Sequence, residues 1–128
     1  MSDKFTVEII SPDDSILKTE TSEVVIPSYE GEMGILKNHI PLITFLRPGK
    51  IIIKENKEEF FVEEGTVEFV DNVLLILTST AKAIIDVNKS LFEDIISKSE
   101  KKISDIKITD KEKYLLSYKI NTLKSINL

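Results

Sequence analysis

Histidine, cysteine and paired carboxylates carry most protein chemistry, and this chain offers few of them. It has one histidine, His39, and no cysteine. A thiolate nucleophile, a disulfide, a thiolate metal site and any site built on two histidines are excluded at once. A Ser-His-Asp triad requires a buried, oriented imidazole. His39 instead follows Asn38 and precedes Ile40-Pro41, at a turn entering a strand, with nothing nearby to suggest an orienting pocket. The carboxylates of Glu58-Glu59 and Glu63-Glu64 fit a solvated hairpin surface, and nothing favours a glycosidase pair. Gly31 and Gly34 lack the GK[ST] ending of a phosphate loop, and GxGxxG is absent. No catalytic residue, metal or cofactor is expected.

The bulk numbers fit a binding or structural role. The chain has 128 residues, enough for one domain or a small domain with an appendage, with 41% hydrophobic and 30% charged residues. No apolar run approaches the roughly 20 residues that cross a bilayer. The start, Met1-Ser2-Asp3-Lys4-Phe5, lacks the basic and apolar parts of a signal sequence, so any membrane link is expected to be indirect. The net charge of −5 divides unevenly: residues 1–86 hold 8 Lys/Arg and 16 Asp/Glu (−8), and residues 87–128 hold 9 Lys and 6 Asp/Glu (+3). An acidic body argues against nucleic acid, which needs a basic surface.

The elements that must position any site come in two textures. Phe5, Val7 and Ile9 alternate with Thr6, Glu8 and Ile10, and Ser11-Pro12-Asp13-Asp14 reads as a turn. Val24-Val25-Ile26 is a short apolar run ended by Pro27. Pro48-Gly49 turns into Ile51-Ile52-Ile53, and Asn56-Lys57 separates that run from Phe60-Phe61-Val62 as a hairpin. Glu64-Gly65, an alternating run over 66–71, Asp71-Asn72 and Val73-Leu74-Leu75-Ile76-Leu77 continue the pattern. Many short strands with regular turns indicate an antiparallel sandwich or barrel. After Asp86 no Gly or Pro occurs, and Leu91, Phe92, Ile95, Ile96 and Ile103 fall at helical spacing. Lys107-Ile108 reads as a connection. Thr109-x-x-Glu112 is a capping-box pattern opening a second helix through Leu115, Leu116, Tyr118, Ile120, Leu123 and Ile126. The fold class is therefore α+β in two parts. Residues 1–86 form an antiparallel β-sandwich, and 87–128 an antiparallel helical hairpin. Isolated helices of this length are marginal, so the hairpin must pack on itself or on the sandwich.

The stretch from Ser28 to Gly49 is the most distinctive. Physically it reads as a tight, exposed, acidic loop leading into an apolar strand. Its order of Glu30-Gly31-Glu32, Gly34-Ile35-Leu36, His39, Pro41-Leu42-Ile43-Thr44 and Pro48-Gly49 closely resembles the signature of the epsilon subunit family of F-type rotary ATP synthases, called delta in mitochondria. The opening Val7-Glu8-Ile9-Ile10-Ser11-Pro12 resembles that family's start, and so does Val73–Leu77 followed by Ala81. The resemblance spans essentially the whole chain, with its specific motif in the first half.

That resemblance implies a non-catalytic central-stalk subunit. It implies a sandwich that binds the gamma shaft and sits on the ring of c subunits, turning with them. It also implies a hairpin that folds on the sandwich in one state. In another, the hairpin extends to the alpha and beta subunits of the catalytic head and restrains ATP hydrolysis. By matching positions, Glu30, Gly31, Glu32 and His39 are expected at the c ring, and Ser11 and Thr44 at gamma. The expected location is peripheral, on the cytoplasmic face of a bacterial inner membrane. One departure stands out. Relatives that bind ATP carry [IL]DxxRA where this chain has Ile85-Asp86-Val87-Asn88-Lys89-Ser90, and Arg47, in the sandwich, is its only arginine. Lysine lacks the planar fork that grips phosphate, so nucleotide binding is expected to be weak or absent. A competing reading of the residues is a stand-alone β-sandwich whose groove takes a small ligand.

Overall fold

The computed structural model describes residues 3–126. Among these, ten strands precede two helices: β1 (Phe5–Ser11), β2 (Asp14–Thr21), β3 (Glu23–Ser28), β4 (Gly31–Leu36), β5 (Leu42–Leu46), β6 (Gly49–Ile53), β7 (Glu58–Val62), β8 (Gly65–Val70), β9 (Val73–Leu77), β10 (Lys82–Ala83), then α1 (Lys89–Ile103) and α2 (Asp110–Ser125). A single 3-10 turn at Ile84–Asp86 joins the two parts.

The strands hydrogen-bond in the order β10-β7-β6-β3-β5-β8-β9-β1-β2, and β4 lies on the other edge of β3. This sheet folds over at one corner. Segment 46–53 runs antiparallel to β3, pairing Leu46 with Ser28 and Ile52 with Val25. A step of three residues along β3 thus matches a step of six along its partner, and the excess is a bend at Arg47-Pro48. Strands that switch layers in this way make the corners of sandwiches. Two local features permit the bend. The Pro27 carbonyl accepts the Arg47 amide at 2.9 Å, so its missing N–H also faces the bend, where the ladder is already broken. A Cβ at Gly49 would fall 2.4 Å from the Pro27 Cβ, so only glycine admits this approach.

The two layers share one core. Val24, Ile26, Ile51, Ile53 and Phe60 from β3, β6 and β7 meet Phe5, Val7, Phe69, Leu74 and Ile76 from β1, β8 and β9. The alternation in β1 puts Phe5, Val7 and Ile9 inside, and Phe5 meets Phe69 edge-on at 5.5 Å. Burying each such side chain contributes about 1.5–3 kcal/mol.

The sandwich followed by a helical hairpin stands as expected, with three differences of detail. Pairing is antiparallel except between β1 and β9, which run parallel from Thr6–Val73 to Ile10–Leu77. Strand β2 had no apolar alternation to announce it: its pattern, DSILKTET, is mostly exposed and polar at the sheet edge. The acidic loop is largely a strand. Only Tyr29 and Glu30 turn, and Gly31–Leu36 pairs with β3 along its whole length. Gly31, at φ 123°, is the one glycine here whose left-handed backbone demands it.

Asn88 caps α1 by accepting the Leu91 amide at 2.7 Å. Thr109 caps α2 by accepting the Glu112 amide at 3.1 Å, as its pattern predicts. The return arm differs: the Thr109 hydroxyl donates to the Glu112 carboxylate at 3.0 Å. The hairpin folds back on the sandwich through a small second cluster of Phe61, Phe92 and Leu123, and Phe61 meets Phe92 at 6.0 Å.

Candidate interaction surfaces

Each layer of a sandwich has an outer face, and here the two faces differ in what covers them. On β7, Phe60 points into the shared core and Phe61 points out, where α1 and α2 cover it. Around that seat, Lys50 pairs with Glu59 at 3.2 Å, and Lys119 of α2 forms an ion pair with Glu63.

The other outer face is built by β5, β8, β9 and β1. Its register lines up Phe45 with Thr66, Leu77 and Ile10 in one row, and Ile43 with Glu68, Leu75 and Glu8 in the next. No part of the described chain covers it. Ile43 is 70% and Phe45 59% exposed, and Val70, Val73 and Leu77 are exposed as well. A row of large apolar groups across several strands marks an interaction surface, unlike a lone exposed leucine. At one end the face deepens into a groove of about 850 Å³, bounded by Ser11, Phe45, Leu77 and the first turn of α2 at Lys111.

The expected contact residues fall unevenly on this geometry. Ser11 borders the uncovered face, at the end of β1, with its hydroxyl donating to the Asp14 carbonyl at 3.2 Å. Thr44 faces the other way. It is 5% exposed and turned into the sandwich, so the surface of β5 belongs to its neighbours Ile43 and Phe45. Strand alternation could have found them, because LITFL is apolar on both faces while only one faces the core.

Glu30, Gly31 and Glu32 lie together at the β3–β4 turn, where the Ser28 hydroxyl donates to the Gly31 carbonyl at 2.8 Å. His39 does not join them. Leu36 is already four residues along β4 from Glu32, roughly 13 Å, and His39 lies beyond it. There, Asn38 and Asn72 bond each other at 2.7 and 3.0 Å, and the His39 ring meets Phe69 edge-on at 5.9 Å. Its Nδ1 donates to the Ile40 carbonyl at 2.7 Å. The four residues expected at the c ring thus lie at the two ends of β4 and do not form one cluster.

Ile85 and Asp86 are exposed in the 3-10 turn, and Lys89, in the first turn of α1, lies 4.0 Å from Glu93. Arg47 faces α2 instead, with its guanidinium carbon 3.9 Å from the centre of the Tyr118 ring. Among the described residues no group of three or more His, Cys, Asp or Glu could hold a metal, and no helix is long and apolar enough to cross a membrane.

This arrangement has known counterparts. Residues 4–84, more than half of the chain, match the family model of the ATP synthase delta/epsilon chain β-sandwich domain. The chain belongs to the ATP synthase delta/epsilon family. It is 44% identical over 130 residues to the ATP synthase epsilon chain of Pelagibacter ubique, covering 99% of this chain and 100% of that one. The epsilon chain of Ligilactobacillus salivarius is 32% identical, over 95% of this chain and 90% of its own. Among solved structures, a chain of the Euglena gracilis mitochondrial ATP synthase OSCP/F1/c-ring assembly superposes with a TM-score of 0.80 at 19% identity. That match covers 98% of this chain and 82% of the other. A chain of the Tetrahymena thermophila central stalk and c ring gives 0.63 at 17% identity, over 93% and 92%. These two likenesses show the fold, helices included. As an epsilon-type member of the family, the chain is a non-catalytic subunit of a membrane-associated ATP synthase.

Proposed function

We propose that this chain is a rotor subunit of the central stalk, joining the gamma shaft to the c ring, with a hairpin that restrains ATP hydrolysis. The observation that carries this is the uncovered apolar face of β5, β8, β9 and β1. A stable interface buries roughly 800 Å² on each partner around a few large apolar anchors. Ile43, Phe45 and Leu77 supply the anchors, and the gamma subunit is their partner. Ser11 sits at the rim of that contact, and Thr44 supports it from within.

The acidic turn at Glu30-Gly31-Glu32 is the surface for the polar loops of the c ring. His39, at the far end of β4, lies outside that surface and meets the ring only through a contact of its own. The hairpin carries Lys111, Lys113, Lys119 and Lys124 on α2. In an extended state these would face acidic surfaces of the alpha and beta subunits. Exposed ion pairs contribute about 0–1 kcal/mol each, enough to shift a two-state hairpin without locking it. ATP has no fork to bind at Ile85-Asp86-Val87-Asn88-Lys89, so the restraint is insensitive to nucleotide. The proposed location is peripheral, on the cytoplasmic face of a bacterial inner membrane.

Co-purification with gamma tests the central claim. The intact chain should bring gamma with it, and Ile43→Glu should not. Retention of gamma by Ile43→Glu, or failure of the intact chain to bind it, would overturn the shaft-binding assignment. Removing residues 88–128 should raise hydrolysis by the assembled enzyme, and titration of ATP into the isolated chain should give no saturable heat.

The groove beside Phe45 gives the small-ligand reading a foothold. Its lining is continuous with the flat face, which suits a protein surface better than a small molecule. Small-molecule sites bury most of their ligand in a cleft.

A further inference from the structure

Arg47, the chain's only arginine, occupies the bend between β5 and β6. Its backbone is tied to β3 through the Arg47 amide and the Pro27 carbonyl, and the close approach of Gly49 to Pro27 leaves the bend little freedom. From this fixed point the side chain reaches α2. The guanidinium lies over the Tyr118 ring at 3.9 Å, and Nη1 donates to the Tyr114 hydroxyl at 3.4 Å. Tyr114 and Tyr118 are four residues apart on the helix and therefore share a face. Their rings meet edge-on at 4.9 Å, and Tyr114 stacks on Tyr29 of the β3–β4 turn at 6.3 Å, with the planes 14° apart. Two turns of α2 are thus held at two points of the sandwich by one continuous cation–aromatic chain.

We propose that the chain Arg47–Tyr118–Tyr114–Tyr29 is a latch that sets how often the hairpin is docked, while contributing little to the sandwich itself. The apolar seat alone is a narrow hold. In the second cluster, the fully buried side chains are Phe61 from the sandwich and Phe92 and Leu123 from the helices, whereas the sandwich core fills two layers. A unit with so little buried against it opens separately from the body on which it rests. The hold on α2 is lateral: the guanidinium carbon lies over the ring face at 3.9 Å, a contact that arginine makes more readily than lysine. Lys119, the residue after Tyr118, adds its ion pair with Glu63 at the same edge of the sandwich. The latch is a property of the chain by itself and does not depend on the assembly role proposed above.

The test is amide hydrogen exchange on the full-length isolated chain, comparing residues 110–125 with strands 5–83. Arg47→Gln and Tyr118→Leu should each speed exchange in α2 by roughly three- to tenfold and leave the strands unchanged. The double variant should be little faster than the faster single one, because each removes the same contact. Arg47→Lys, which keeps the charge and loses the plane, should fall between wild type and Arg47→Gln. Unchanged α2 exchange in Arg47→Gln would overturn the latch, as would effects that multiply in the double variant. Wild-type behaviour of Arg47→Lys would overturn the stacking role. Should Tyr118→Leu disturb the strands, Arg47→Gln decides, since its side chain lies outside the core. Loss of gamma binding belongs to a different experiment and leaves this result untouched.

Discussion

The two outer faces of the sandwich carry similar apolar side chains and end in opposite states. Phe61 on β7 is covered by the chain's own helices, whereas Phe45 on β5 is left open. At the edge of the covered face Lys119 of α2 pairs with Glu63 of the sandwich and ties the helix to it, beside the strand-to-strand pair of Lys50 and Glu59. On the open face Glu8 and Glu68 alternate with Ile43 and Leu75 along one row, all of them on neighbouring strands of one sheet. Apolar area alone therefore does not tell a folding surface from a binding surface. The difference lies in whether the chain also supplies a second element of matching shape and charge.

The largest expected effect breaks the covered side. Phe61→Ala removes the one fully buried sandwich side chain under the hairpin, and large-to-small changes of this kind cost about 3–5 kcal/mol. Helix exchange should approach that of an undocked hairpin while the strands keep their protection, and a single cooperative loss of both would mean that the two parts do not separate. Next comes the mirror substitution, Phe45→Glu. The isolated chain should keep its stability within about 0.5 kcal/mol, because the side chain is already in water. Affinity for gamma should fall by about 2 kcal/mol or more, as for a central anchor of an interface. If thermal denaturation showed Phe45→Glu to be as damaging as Phe61→Ala, the contrast between the faces would be lost.

A smaller effect sharpens the comparison on the helix side. Thr109→Ala deletes the cap of α2 and should cost about 1 kcal/mol of helix stability. The extra cost of losing the reciprocal arm should be slight. That arm here joins hydroxyl to carboxylate, so the Glu112 side chain does not reach back to the Thr109 amide. Exchange in the first turn of α2 is the measurement.

Most of the frame was legible because its signals are local. The β6–β7 hairpin shows as two apolar runs around Asn56-Lys57, and Lys57 adopts the positive φ of such a turn. The Thr109 cap needs only residues three apart. What escaped depends on neighbours distant in sequence. Pro27 reads as the end of a strand, yet β3 continues through it because its nitrogen, which carries no hydrogen, faces a bend made by Arg47 and Pro48, some twenty residues later. Gly31 and Gly34 read as loop residues, yet Gly34 sits within β4, and a Cβ there would lie 2.9 Å from a carboxylate oxygen of Glu23 across the pair. Thr44 was singled out by its place in a motif, and the sandwich turns it inward. Arg47 was noted for what it cannot do at a nucleotide site. Its contact with Tyr118, 71 residues away, could not be read without the fold.

Glu32→Lys should have the smallest effect on the isolated chain and the most specific one in the assembly. Glu32 is exposed at the second position of β4, opposite Pro27, one residue past the glycine that needs its positive φ. The turn is held by backbone pairing and by the Ser28 hydroxyl, neither of which uses the Glu32 carboxylate. Reversing its charge should therefore move stability by less than about 0.5 kcal/mol. In the proposed assembly the same reversal faces the polar loops of the ring, where a charge on the wrong side raises the cost of every contact. Proton-driven synthesis in reconstituted enzyme should fall while gamma binding, which uses the β5 face, stays at the wild-type level. The salt dependence separates this from a distorted turn. A charge effect at an exposed contact is screened and should fade as ionic strength rises, whereas a distortion should persist. Unchanged synthesis at low salt would remove Glu32 from the ring contact and leave the acidic turn as a solvated surface.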